Sequence, residues 1–104
     1  MDTLARLEAT IAARHGGDPD ASYVARLLHK GLPEVARKVG EEAVETAVAA
    51  LAHEREQVVG EAADLIFHLM VLLRAREIPL ADVLAELDRR EGTSGIAEKA
   101  ARGA

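Results

Sequence analysis

The sequence predicts an all-α fold, a helical bundle with no β domain. Hydrophobic residues make up 49% of the 104 residues and aromatic residues only 2%. The apolar residues are mostly Ala, Leu and Val, which favours packed helices over sheets. They recur at spacings of three and four, and caps and helix breakers divide the chain into five helical segments. A chain of this length is near the lower limit for burying a sufficient core alone, so we expect an oligomer.

The first two predicted helices are short and amphipathic. Asp2 or Thr3 caps the first helix, and the Gly-Gly-Asp-Pro run at 16–19 ends it. The second helix follows Ser22, a good capping residue, and ends at Gly31, which suits the left-handed turn after a helix.

The next two predicted helices are longer and form an antiparallel hairpin. Pro33 opens the third helix, which carries residues 35–51, and the fourth runs from about 56 to about 76. Only charge density signals the break at 52–55, which contains neither Gly nor Pro. The fourth helix is apolar on nearly every side, which is typical of a buried helix.

Pro79 opens a fifth helix with an apolar stripe. The stripe consists of Leu80, Val83, Leu84 and Leu87. We expect one helical domain over residues 1–92. The remaining residues, 93–104, are small and polar, and we expect a tail that is mobile or docks on a partner subunit.

Composition excludes several classes of function. The net charge is −5, with 13 basic and 18 acidic residues, one Tyr, one Phe and no Trp, so neither phosphate-backbone binding nor base stacking on nucleic acid is favoured. Cysteine is absent, which excludes thiolate metal sites and disulfides and suits a reducing cytoplasm. No signal peptide or membrane-spanning run is evident, so we expect a cytoplasmic protein that does not bind membranes.

Five acidic residues on the hairpin form the candidate site. They are Glu41, Glu42, Glu45, Glu61 and Asp64. If the turn is centred near His53, Glu45 and Glu61 lie at the same height in the antiparallel pair. No Lys or Arg lies within 58–73 to pair with the acids of the fourth helix, and a buried carboxylate needs a cation or donors. Clustered carboxylates without thiolates predict Mg²⁺, with Mn²⁺ as a substitute. Such a site suits hydrolysis of a phosphoanhydride.

Ordinary structural roles compete with this interpretation. The acids of the third helix, taken alone, fit a solvated helix face with i,i+4 pairs such as Lys38 with Glu42. Glu61 and Asp64, on an apolar helix, favour a site. His68 on the same helix is interpreted as a hydrogen-bonded core histidine rather than a ligand.

The acidic pattern resembles a known superfamily. E-E-x-x-E, a gap of fifteen residues and then E-x-x-D is similar to the all-α, MazG-like nucleoside triphosphate pyrophosphohydrolases. Longer matches, from about residue 4 to 92, resemble the phosphoribosyl-ATP pyrophosphohydrolase family of histidine biosynthesis. These matches include Ser22-Tyr23, Lys30-Gly31, Lys38-Val39-Gly40-Glu41-Glu42, Glu61-Ala62-Ala63-Asp64-Leu65 and His68-Leu69.

The resemblance implies a reaction and an assembly. The reaction is hydrolysis of 1-(5-phosphoribosyl)-ATP to 1-(5-phosphoribosyl)-AMP and diphosphate, the second step of L-histidine biosynthesis, with Mg²⁺. The assembly is a homodimer whose subunits share a four-helix bundle core.

The resemblance also implies roles for individual residues. The metal positions match Glu42, Glu45, Glu61 and Asp64. The catalytic candidates are Glu41 and Glu45, with Glu41 either activating water or supporting the metal ligands. Lys38 is the first candidate for substrate phosphate, followed by Lys30 and Tyr23.

Two positions differ from the pattern of this family. Val24 replaces the usual Thr, and Ala52-His53 replaces the usual Asn/Gly turn residues.

Two other functions stay open. One is a house-cleaning hydrolase of common or damaged nucleoside triphosphates, and the other is a non-catalytic helical dimerisation module that binds a structural ion.

Overall fold

The computed structural model describes residues 2–103, and this part of the chain contains six helices and no strand. The helices are α1 (Thr3–Arg14), α2 (Tyr23–Lys30), α3 (Leu32–Ala52), α4 (Arg55–Ala75), α5 (Leu80–Arg90) and α6 (Gly95–Ala101). The predicted all-α class is confirmed. Within residues 2–103, every helix is too short or too polar to cross a bilayer.

The predicted caps begin the first two helices, and the predicted glycine ends the second. The Asp2 carboxylate accepts a hydrogen bond from the Ala5 amide at 2.8 Å, and the Ser22 hydroxyl accepts one from the Ala25 amide at 3.2 Å. Gly31 has φ +101° at the junction of α2 and α3, a conformation that strongly favours glycine. These local interactions confirm the predicted starts of α1 and α2.

The hairpin of α3 and α4 has the predicted register. Only His53 and Glu54 separate the two helices. The Glu54 amide donates to Gln57 Oε1 at 2.8 Å, part of a capping box that starts α4 without Gly or Pro. Farther along, the Thr46 hydroxyl donates to the Glu61 carbonyl at 3.1 Å, so α3 and α4 contact each other at the acidic residues.

The core lies where α1 and α2 pack on the hairpin. Its fully or nearly fully buried members are Ile11, Val24, Leu27, Val35, Met70, Val71 and Leu73. Val24, one of the two positions that differ from the pattern of the resembled family, therefore packs in the core.

The prediction that α4 is buried on every side is wrong for a single chain. Val59 is 55% exposed and Ile66 45% exposed, because α1, α2 and α3 cover only part of the surface of α4. The stripe on α5 is also incompletely covered, since Leu84 and Leu87 are exposed.

The C-terminal segment contains a helix that the sequence analysis did not assign. The Ser94 hydroxyl caps α6 by accepting from the Ala97 amide at 3.0 Å. Glu98 is buried against α5, where Arg89 donates to its carboxylate at 2.5 Å. The domain boundary at 92 and docking on a partner stay predictions, and residue 104 lies outside the described range.

Candidate metal centre

The hairpin brings all five predicted acids together in two overlapping groups. Glu41, Glu42 and Glu45 form one group. Glu42, Glu61 and Asp64 form the other. In each group, one carboxylate oxygen per residue lies within 4.8 Å of the others. Glu42 belongs to both groups because its side chain points from α3 toward α4, where it is buried.

Two of the carboxylate oxygens are buried without a hydrogen-bond donor. Among the described residues, no donor reaches Oε2 of Glu42 or Oε2 of Glu61. A buried carboxylate oxygen without a partner is strongly unfavourable unless a cation neutralises it. The donor set consists of oxygens alone, so it fits a hard divalent cation. Glu42, Glu45, Glu61 and Asp64 are the residues that could hold such an ion.

Lys38 supplies a positive charge from α3, in agreement with the predicted i,i+4 pair of Lys38 and Glu42. Its Nζ lies 2.9 Å from Glu41 Oε1 and 3.4 Å from Glu42 Oε1. The hydrogen bond to Glu41 is the main reason that the pKa of Lys38 is raised. Lys38 therefore stays cationic at the rim of the cluster and leaves the two buried Oε2 atoms unpaired.

Glu45 has the most strongly perturbed carboxyl group of the cluster. Its contact with Glu42 raises its pKa the most, burial and Glu61 raise it further, and the resulting pKa is about 7. Carboxylates held this close cannot all be ionised without a cation. Glu45 therefore binds a proton more readily than an ordinary glutamate does when the cluster contains no cation.

Glu41 lies beside cations instead. Its carboxylate accepts from Lys38 at 2.9 Å and from Arg37 at 2.6 Å. These two hydrogen bonds, with Lys38 contributing most, lower the pKa of Glu41. The side chain is thereby kept ionised and fixed in position.

Tyr23 lies at the edge of the cluster. Its Oη is 2.8 Å from Nε2 of His68, and its ring stacks on Phe67 with a centroid distance of 6.0 Å. His68 is buried and its Nδ1 is 2.7 Å from the Asp64 carbonyl oxygen. Both ring nitrogens therefore have partners, which confirms that His68 is a hydrogen-bonded core histidine. The Tyr23–His68 contact was not predicted.

Lys30 is the one predicted substrate residue that the structure does not bring to the acids. It is the last residue of α2 and is exposed. Its charge acts on Glu34, whose pKa is lowered chiefly by Arg37 and to a lesser degree by Lys30. Among the described residues, Lys30 has no ion pair with the five acids.

Comparison with known proteins agrees with the sequence pattern. Residues 4–91 match the family described as phosphoribosyl-ATP pyrophosphohydrolase. A phosphoribosyl-ATP pyrophosphatase of Novosphingobium aromaticivorans is 70% identical, over 97% of this chain and 94% of that protein. The enzyme of the same name from Erythrobacter litoralis is 69% identical over 99% of each chain. The one from Dinoroseobacter shibae is 59% identical, over 98% of this chain and 100% of that protein.

Proposed function

The chain belongs to the phosphoribosyl-ATP pyrophosphohydrolase family, and we propose that it hydrolyses 1-(5-phosphoribosyl)-ATP to 1-(5-phosphoribosyl)-AMP and diphosphate. This reaction is the second step of L-histidine biosynthesis. The observation that carries the proposal is the pair of buried Oε2 atoms, on Glu42 and Glu61, that no donor within residues 2–103 reaches. A site with this unmet negative charge is suited to a cation that also binds phosphate.

The cation that we propose is Mg²⁺, with Mn²⁺ as a substitute. Its ligands are Glu42, Glu45, Glu61 and Asp64, whose carboxylates lie in the two overlapping groups. When bound, the ion supplies positive charge against the phosphate oxygens and lowers the pKa of the attacking water.

The other side chains of the site bind phosphate, accept a proton or hold a neighbour in position. Lys38 binds a phosphate oxygen, because its Nζ is cationic and lies at the rim of the acids. Glu45 accepts the proton of the attacking water, since its carboxylate lies among the acidic groups beside the ion. Glu41 and Arg37 hold Lys38 in place through the hydrogen bonds of Glu41. The anhydride bond between the α- and β-phosphoryl groups breaks as the water oxygen bonds to phosphorus, and diphosphate leaves.

The functional form that we propose is a cytoplasmic homodimer. The exposed apolar side chains of α4, among them Val59 and Ile66, are the surface that needs a partner. A shared bundle would cover them with the same helices of a second copy.

A direct assay tests the proposed function. Purified protein with phosphoribosyl-ATP and Mg²⁺ should release diphosphate, and EDTA should stop the release. Glu61→Gln removes one charge from the cluster and should lower the rate by about a hundredfold or more, as loss of a preorganised electrostatic group does. Glu56→Gln, on the same helix but exposed, is the matched control and should keep full activity. Circular dichroism should show both variants to be helical.

Three results would contradict the proposal. Absence of diphosphate release from the wild type would exclude the reaction. Comparable turnover of dUTP or ATP would indicate a house-cleaning hydrolase. If EDTA lowers the melting temperature but no nucleotide is consumed, the cluster holds a structural ion in a non-catalytic module.

A further inference from the structure

His68 has no role in the proposed reaction, yet its hydrogen bonds connect it directly to the site. Its Nδ1 lies 2.7 Å from the carbonyl oxygen of Asp64, and its Nε2 lies 2.8 Å from Oη of Tyr23. The imidazole ring also packs edge-on against Phe67 and Tyr23. The ring is buried, so its orientation is fixed by these contacts.

The partners of His68 determine where its ring proton lies. A carbonyl oxygen can only accept a hydrogen bond, and a neutral imidazole carries a single ring proton. In the neutral ring that proton is therefore on Nδ1, where it is donated to the carbonyl of Asp64. Nε2 then offers a lone pair, so the hydroxyl of Tyr23 must be the donor in the contact with His68.

This assignment fixes the hydrogen-bonding character of Tyr23. A phenol has one proton, and the proton of Tyr23 is donated to His68. Its Oη can therefore only accept hydrogen bonds from other groups. We infer that His68 is a positioning residue that makes Tyr23 an acceptor for a hydroxyl or amino group of the nucleotide, and not a donor to its phosphates. This inference rests on the proposed function for the identity of the substrate.

The surroundings of Tyr23 support the same assignment. Its pKa is raised, mainly by burial and then by the carboxylates of Glu42 and Glu41, although Lys38 acts in the opposite direction. The phenol thus retains the proton that it donates. Ionised phosphates carry no hydrogen-bond donor, so the acceptor Oη suits the sugar or the base. Lys38, which is cationic and close by, suits the phosphates.

The tautomer can be measured without any substrate. In mildly alkaline buffer, ¹⁵N spectra of the imidazole rings should show, for His68, a protonated Nδ1 and an unprotonated, hydrogen-bonded Nε2. The His68→Gln variant assigns the resonances by removing them. A protonated Nε2 would overturn the inference. This measurement stands even if the wild type proves inactive and the proposed function fails.

Kinetics of the active enzyme test the consequence for the substrate. Tyr23→Phe should raise KM for phosphoribosyl-ATP by about tenfold and leave kcat within about twofold, because one ground-state hydrogen bond is lost. His68→Leu removes the acceptor for Tyr23 and should raise KM by a similar factor. His68→Gln places an amide oxygen near the position of Nε2 and should restore most of the affinity.

The double variant separates positioning from a merely structural role. Tyr23→Phe combined with His68→Leu should be no worse in KM than either single variant. Independent, multiplying effects would overturn the inference, as would an unchanged KM in Tyr23→Phe or a fall in kcat alone. If His68→Leu does not fold, Tyr23→Phe and His68→Gln still decide the question.

Inhibition by ATP analogues then identifies the donor. A 2′-deoxy-ATP that binds the wild type more weakly than ATP, but binds Tyr23→Phe equally, indicates a ribose hydroxyl. The same behaviour of inosine triphosphate indicates the amino group of the base. Equal inhibition of the wild type by all three, together with the KM effect of Tyr23→Phe, indicates a hydroxyl that these analogues keep or lack alike, either the 3′-hydroxyl of the ribose or one of the phosphoribosyl group.

Discussion

Glu41 and Glu45 lie one turn apart on α3 but have opposite electrostatic surroundings. Glu41 accepts hydrogen bonds from two cations, which lower its pKa. Glu45 lies beside two other carboxylates, which raise its pKa to about 7. The E-E-x-x-E pattern does not distinguish them, because the difference comes from residues on the facing helix and one turn back. The two glutamates therefore have different proton affinities in the metal-free cluster, although both are catalytic candidates.

The raised pKa of Glu45 predicts how the metal-free protein responds to pH. An acid whose folded-state pKa lies above its ordinary value of 4.5 stabilises the fold at low pH. That contribution is lost as the pH rises through about 7. We expect the melting temperature of metal-free protein to fall between about pH 5 and about pH 8. Mg²⁺ should reverse the loss, with a larger effect at the higher pH.

Thermal melts with EDTA and with Mg²⁺ at several pH values check this prediction. Glu45→Gln cannot ionise, so its metal-free melting temperature should vary less with pH. A wild type and a Glu45→Gln variant with the same pH dependence would show that the close carboxylates do not destabilise the metal-free fold.

The sequence predicts where the five acids lie, but it does not predict which neighbouring groups shift their pKa values. Register arithmetic around His53 was enough to place Glu45 beside Glu61, because both belong to one hairpin with a short connection. The Tyr23–His68 contact joins residues 45 positions apart. It depends on how α2 packs across α4, which periodicity alone does not determine.

At the scale of single elements, the helix ends were predictable because local caps set them. The start of α4 was the weakest prediction, since the chain there has no Gly or Pro. In the structure a side chain caps the helix instead, because Oε1 of Gln57 accepts a hydrogen bond from the Glu54 amide at 2.8 Å. A capping box of this kind needs Glu or Gln three residues after the cap.

Removal of that cap should weaken the hairpin. Gln57→Ala leaves the Glu54 amide without its acceptor, and we expect the free energy of unfolding to fall by about 1 kcal/mol. Urea denaturation followed by circular dichroism measures the change. Gln57→Glu preserves the acceptor and is the matched control. Equal losses in both variants would indicate that another property of Gln57, and not the cap, stabilises the turn.

The short helix α6 depends on one ion-paired network. Arg89 binds both Glu86 and the buried Glu98, and Arg90 also binds Glu86. The two arginines lower the pKa of Glu86 to about 2. The sequence of residues 93–104 does not predict α6, because its apolar residues are mostly alanine and the helix is anchored by a charge on α5.

Loss of the buried anchor should release α6 without disturbing the core. For Glu98→Ala we expect backbone amides of residues 95–101 to exchange with deuterium at least about tenfold faster, since the pairing with Arg89 is removed. Hydrogen exchange with mass spectrometry measures the effect. Lys99→Ala, also on α6 but exposed, should change exchange much less. Unchanged protection in Glu98→Ala would show that other contacts hold the helix.

At the scale of the whole molecule, the single chain is more extended than a compact domain of the same length. Its radius of gyration is 15.7 Å, whereas a compact domain of this size has a value of about 13 Å. The many exposed apolar residues are consistent with this large radius of gyration. They include Val44, Val48 and Leu51 on α3, Val59, Ile66 and Leu69 on α4, and Leu84 and Leu87 on α5. Such a surface in water favours association.

The sequence of α4 predicts a helix that is buried on every side, and a second copy of the chain that covers the exposed side would bury it in this way. A charge at the centre of that side should then prevent assembly. We expect Ile66→Glu to sediment as a monomer near 11.1 kDa, while the wild type and the apolar control Ile66→Leu sediment at about twice that mass. The melting temperature of the wild type, but not of Ile66→Glu, should rise with protein concentration, because only the dimer is stabilised by mass action. A wild type that stays monomeric at every concentration would contradict the shared bundle, and the apolar side of α4 would then require a different partner.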